Sequence, residues 1–209
     1  MKQFIVIISM LSVLLLAACG GKITSSEEQN NNTNTSEDVN ANTSTEKEPT
    51  LSETINTKEE QVLTYQLHNE TIKETATLTN SDNQGYSMYV LPSFTLTGEE
   101  PRKDSLFLTD ADYISMRIEL LGDNPDWEQY EQNIPIELEY FNTDITNPTD
   151  HSLQMDNASI YEASNGEETV TIYLVKNENQ PMKLTIFTRA DEDYRSAFVE
   201  MAKTIQVNQ

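Results

Sequence analysis

One cysteine, two histidines and six glycines in 209 residues leave this sequence poor in chemically versatile side chains. A single thiol, Cys19, cannot close an internal disulfide, so a disulfide scaffold is excluded. His68 and His151 each lack a second histidine at ligand spacing, and that pattern does not support a zinc site. Each reads as an exposed or turn histidine. There is no G-x-S-x-G elbow, and no glycine-rich phosphate loop follows any apolar run. Cations are also scarce. Lys plus Arg number 13 against 35 Asp plus Glu, a net charge of −22. From residue 51 onward the balance is 29 acidic to 10 basic, net −19. Nucleic acid is therefore excluded as a partner, because phosphate contacts require clustered Lys and Arg. The same excess keeps the domain itself off an anionic membrane surface. It serves solubility and mutual repulsion, or else attracts divalent cations or a basic partner.

What is present begins with Lys2 and an apolar run from Phe4 to Ala18, broken only by Ser9 and Ser12. A charged start, a short apolar run and small residues before a cleavage point form a secretory signal layout. The run is shorter than the ~20 residues that span a bilayer as a helix. The order Leu16-Ala17-Ala18-Cys19 resembles the lipobox of bacterial lipoproteins. That resemblance implies that residues 1–18 are removed and that Cys19 carries a diacylglyceryl group. Burial of acyl chains gains about 0.8 kcal/mol per methylene, and stable anchoring takes two chains or more. On this reading the membrane is reached through the lipid on Cys19, and no thiol is left for catalysis or metal.

Residues 19–55 follow as a tether rich in Asn, Ser, Thr and Glu. Between Gly20 and Thr50 there is no aromatic residue, and the only large aliphatics are Ile23 and Val39. Such a segment buries too little apolar area to offset the entropy of ordering and is expected to be disordered. At about 5–6 Å × √n it would average roughly 30–35 Å end to end.

Residues 56–209 are long enough for a single extracytoplasmic domain with one core. "QVLTYQLHNETIKETATLT" reads as two strands around a break at Asn69-Glu70, and "NSDNQG" (Asn80–Gly85) as a turn. "YSMYVL" is a strand closed by Pro92, "TGEEPRKD" a polar loop, "SLFL" a strand, and "YISMRIELL" an alternating strand. "GDNPDWEQYEQ" begins a helix with Asn124 as cap and Pro125 in the first helical position. Beyond Pro135 the segment "IPIELEYF" fits either a strand or a continued helix with Trp127, Tyr130, Ile134, Leu138 and Phe141 in one stripe. "ASIYEAS", "ETVTIYLVK" and "MKLTIFT" are three strands. A closing helix capped by Asp191 then buries Tyr194, Ala197, Phe198, Met201 and Ile205, with Glu200 on its opposite face. The fold class is α+β, an antiparallel sheet with helices packed on it. From "GYSMYVLPSFTL" through "YRSAFVEMAKTI" the element order is similar to the Mog1/PsbP-like α/β/α sandwich, a layout found among extracytoplasmic lipoproteins of low-GC Gram-positive bacteria. The resemblance implies a fold and supplies no catalytic residues.

Three groups merit weighing for chemistry. Asn80–Gly85 places oxygen side chains like the first half of a calcium loop, but Leu91 stands where a bidentate Glu is needed, so a hairpin turn explains it better. Glu99, Glu100 and Asp104 flank Arg102 and Lys103, with Asp110 and Asp112 beyond. Such carboxylates are expected from composition, although a pair could serve acid–base chemistry. Trp127, Tyr130, Tyr140 and Phe141 line either a ligand groove or the core face of one helix. Taken together, the sequence predicts a non-enzymatic, membrane-anchored envelope module that binds a protein partner, with no cofactor. The alternatives are a small-molecule or cation-binding lipoprotein accessory to uptake, and a carboxylate-based wall hydrolase.

Overall fold

The computed structural model describes residues 58–207. The signal segment 1–18, Cys19 and the tether 19–55 lie outside the described residues. Among the described residues no helix is long and apolar enough to cross a membrane.

The first alternating stretch forms a hairpin of β1 (Glu60–Leu67) and β2 (Glu70–Asn80). His68 and Asn69 make its two-residue turn with φ of 50° and 64°, one residue earlier than the expected break. Positive φ at both central positions gives the turn a twist that matches the flanking strands. Leu63, Tyr65 and Ala76 face the core. β3 (Tyr86–Val90) pairs with β2 and is buried at every residue. The two-residue β10 (Gln206–Val207) pairs with β3, which gives a four-stranded sheet ordered β1-β2-β3-β10.

A second, six-stranded sheet comprises β4 (Phe94–Glu100), β5 (Lys103–Leu108), β6 (Ala111–Leu120), β7 (Ala158–Ser164), β8 (Glu168–Val175) and β9 (Met182–Arg189). Its order is β4-β5-β6-β9-β8-β7, and every pair is antiparallel. The polar loop expected at "TGEEPRKD" is instead ladder, with only Pro101 and Arg102 between β4 and β5. β4 is an edge strand, so polar residues can pair through their backbones while their side chains stay in water.

Each face of this sheet carries a different core. Inward, Leu106, Ile114, Met116, Ile118, Leu184 and Ile186 join the four-stranded sheet in one cluster. Outward, Val170, Ile172 and Leu174 pack with Ile134 and Leu138 of α1 (Trp127–Glu139). Asp126, not Asn124, caps α1, its Oδ1 accepting from the Gln129 N–H at 3.0 Å, and Pro125 stands outside the helix. The helix runs through Pro135, which settles the open choice against a strand. Proline removes one backbone bond, while Ile134 and Leu138, one turn apart, are both buried on the sheet. Two ion pairs fasten α1 to the sheet, Lys176 with Glu131 and Lys183 with Glu137.

α2 (Arg195–Ala202) packs against β1, β3 and β9, between the two sheets. It begins later than expected. Asp191 is not its cap, and Asp193 Oδ1 accepts the Arg195 N–H at 3.1 Å. Burial is also broader than a stripe, because Ser196, Ala197, Phe198, Val199, Met201 and Ala202 are all buried. Ile205 is buried beyond the helix end. The fold is thus α+β, built on antiparallel sheets.

Phe198 is fully buried and meets Phe94 edge to face, with ring centroids 5.1 Å apart. Phe→Ala in a core costs about 3–5 kcal/mol, against about 5–15 kcal/mol for a whole domain. Phe198→Ala is therefore expected to lower the melting temperature strongly. Glu200→Ala removes only a surface pair with Lys203 and is expected to change it little. Thermal unfolding followed by circular dichroism checks both.

Burial pushes the hydroxyls of Tyr65, Tyr86 and Tyr173 above the ordinary phenol value, Tyr65 to about 12. The unfolded chain releases these protons from about pH 10, whereas the native state holds them to higher pH. The unfolded state then binds fewer protons, so stability falls as pH rises above about 10. Urea midpoints that stay level from pH 9 to about 12 would contradict this.

Candidate functional site

The turn at Asn80–Gly85 directs its polar side chains at the protein. Ser81 Oγ donates to Asp104 Oδ2 at 2.7 Å and accepts from the N–H groups of Asn83 and Gln84. Asn83 Nδ2 donates to the carbonyls of Glu100 and Lys103. The buried Gln84 amide donates to the Ile118 carbonyl and accepts from the Leu120 N–H, both at 3.0 Å, in the manner of a strand beside β6. This turn joins the two sheets. The carboxylates weighed for acid–base chemistry are separated. Glu99 takes both forks of Arg117, Glu100 pairs with Lys103, and Asp104 is buried in the interior. Arg117 holds the Glu99 carboxyl below its usual range, chiefly through the hydrogen bond. Asp110, in the β5–β6 turn, and Asp112, the second residue of β6, are both exposed.

Two features concentrate functional groups. The first is a polar cavity of about 580 Å³ lined by His68, His151, Asp150, Asp193, Gln66 and Ser196. Both histidines of the chain line this cavity, although they lie far apart in the sequence. His68 comes from the β1–β2 turn, and His151 opens a 3₁₀ turn (His151–Leu153) capped by Asp150. Among the described residues, no group of three or more His, Cys, Asp or Glu is placed to hold a metal ion. Beside the cavity, Arg195 of α2 grips Asp193 through Nε and Nη2, at 2.8 and 2.6 Å, and reaches Glu162 of β7 through Nη1. Burial pushes the Asp193 carboxyl up, but the hydrogen bonds and charge of Arg195 outweigh it and hold the group below its ordinary value.

The second feature is an aromatic groove of about 350 Å³ on the outer face of the six-stranded sheet. Its floor is Val170 of β8 and Phe187 of β9, cross-strand partners. One wall is Tyr113 of β6, the other Tyr140 and Phe141 at the end of α1. Tyr140 is 90% exposed and Tyr113 52%. The Tyr140 ring meets Phe141 edge to face at 5.5 Å, and Phe141 lies 6.3 Å from Phe187. Tyr113 is held at both ends. Its hydroxyl donates to Glu192 at 2.8 Å, and the Arg189 guanidinium lies 5.7 Å from its ring centre. The hydrogen bond to Glu192 raises the Tyr113 hydroxyl above the usual phenol value.

The four aromatics expected along one helix therefore divide. Trp127, Tyr130 and Phe141 pack against the outer core, and Tyr140 points to solvent. Tyr113 and Phe187 were not foreseen in this groove. The available signal was the outward phase of β6, in which Tyr113 alternates with the buried Ile114.

The family model for a domain of unknown function, DUF8580, matches residues 57–206. The chain belongs to this family. No curated protein matches the DUF8580 chain. A 1.50 Å crystal structure from Bacteroides thetaiotaomicron is similar to it with a TM-score of 0.37 and 12% identity, over 60% of this chain and 46% of that one. The DUF8580 chain thus spans less than half the length of that structure.

In the DUF8580 domain, Arg195→Met keeps an apolar stem and leaves two carboxylates without their cation. Breaking a fully buried pair costs about 3–5 kcal/mol. This partly exposed cluster is expected to lose less than that, but more than the ~0–1 kcal/mol of a surface pair. Urea unfolding at pH 7 measures it.

Proposed function

We propose that the chain is a lipoprotein on the outer face of the cell membrane, anchored through lipid on Cys19, whose domain is a non-enzymatic module that binds a protein partner. The Cys19 anchor rests on the lipobox-like Leu16-Ala17-Ala18-Cys19 and the polar tether after it. The binding role rests on one observation, the solvent-facing aromatic groove walled by Tyr113 and Tyr140. Exposed tyrosines held on rigid elements are characteristic of interfaces. A binding role in place of a reactive one is supported by the engagement of Glu99, Glu100 and Asp104 in contacts that hold the fold. The Mog1/PsbP-like α/β/α sandwich is part of the proposal, supported by a six-stranded sheet with α1 on one face and α2 on the other. The polar cavity with His68 and His151 favours a second reading, a small-molecule or cation-binding accessory to uptake.

Cys19→Ala is expected to move the protein from the membrane to the soluble fraction and to abolish labelling by a fatty-acid analogue. A photoreactive side chain at position 140 is expected to give a discrete protein adduct in cells, and one at the exposed Thr75 of β2 none. A wild-type chain that takes no lipid label overturns the anchor. Equal crosslinking from both positions overturns the binding face.

A further inference from the structure

The groove's shape and charge narrow what can occupy it. Its rings step from wall to floor, Tyr140 to Phe141 to Phe187, with centroids 5.5 and 6.3 Å apart, and Tyr113 stands opposite. The floor is the face of a sheet, not an edge, so it offers few backbone groups for a strand to pair with. An occupant must therefore need no backbone partner. A polyproline II segment meets that condition, because its backbone makes no internal hydrogen bonds and proline has no N–H to satisfy. With three residues per turn and a rise of ~3.1 Å per residue, it presents a side chain to the same face every third residue, ~9 Å apart. Such segments dock into aromatic-lined grooves at low entropic cost, since they are already extended.

The charge at one end of the groove adds a second constraint. Glu168 lines it, Glu167 precedes Glu168, and Asp191 and Glu192 follow the β9 strand that carries Phe187. Arg189, the cation lining the groove, lies 3.7 Å from Asp191 and against the Tyr113 ring, which sets one carboxylate against one cation and leaves Glu167, Glu168 and Glu192 as the acidic excess. Over residues 58–207 the carboxylates outnumber Lys plus Arg by 28 to 10. An acidic end beside an aromatic groove selects a ligand with apolar rings followed by positive charge.

We infer that the aromatic groove binds a proline-rich, extended peptide segment flanked by Lys or Arg, carried by the partner protein. The inference rests on the binding-module reading but not on the anchor. It is tested with the full-length Cys19→Ala chain, so failure of lipidation leaves the test intact, and crosslinking at Tyr140 can succeed even if this ligand class fails. The probe is a fluorescein-labelled oligoproline peptide ending in two arginines, titrated and read by anisotropy at low and high salt.

Saturable binding is expected, weakened by salt and weakened about tenfold or more by Tyr140→Ala, as for an aromatic hot spot. Because Tyr140 is almost wholly exposed, circular dichroism of that variant should match the parent. Glu168→Gln is expected to weaken the arginine-bearing peptide and to leave an uncharged oligoproline unchanged. The inference is overturned by absence of saturable binding, by equal affinity in Tyr140→Ala, or by displacement of the peptide by a neutral chitooligosaccharide, which would make the groove a sugar site.

Discussion

Everything in this domain is arranged around the burial of α2 between two sheets. Six of its eight residues are buried, and it touches β1, β3 and β9, strands from both sheets. A helix apolar around most of its circumference needs cover on more than one side. One antiparallel sheet could supply only one such face, so the four-stranded and six-stranded sheets close on it together. Phe198 marks the centre, packed edge to face on Phe94 where the second sheet begins. With the inner face committed to this core, the outer face of the six-stranded sheet is left for α1.

Electrostatics follows the same division. Seven of the ten Lys and Arg side chains in residues 58–207 lie within ion-pair distance of a carboxylate. Several of these pairs fix elements in place. Lys176 and Lys183 hold α1, and with it Tyr140, while Arg195 holds the start of α2 to β7. The surplus carboxylates remain at the surface, where they keep copies apart and favour a cationic visitor. The scarcity of cations thus shapes both how the helices sit and what the surface attracts.

Local patterns made much of the fold legible. Alternation at Ile114, Met116 and Ile118 marked β6, and Phe198 with Met201 marked the core side of α2, because period-two and helical burial are written in adjacent residues. What escaped depends on distant parts. Asn80–Gly85 reads as a simple hairpin turn, yet Gln84 reaches β6 because a buried backbone edge there needs partners. Asp126 overrode Asn124 as helix cap, since the cap is the residue whose side chain meets the third N–H of the helix. At the candidate sites the sequence supplied residues without their neighbours. The convergence of His68 and His151 on one cavity, and of Tyr140 and Tyr113 on one groove, is set by topology and leaves no spacing to read.

The position of α2 has a consequence for how the domain comes to be. β1 lies at the start of the described chain, and the helix that covers it lies near the end, with the Gln66 N–H donating to Ser196 Oγ across nearly the whole domain. During synthesis the first hairpin emerges long before its cover exists. Leu63 and Tyr65 then face water until the last strand and helix arrive, and the edge of β3 that β10 later pairs stays open to wrong partners. Such long-range closure makes a slow folder. The charged and polar residues that alternate along β1 and β2 then have a role in the nascent chain as well as the finished one, as guards against premature association.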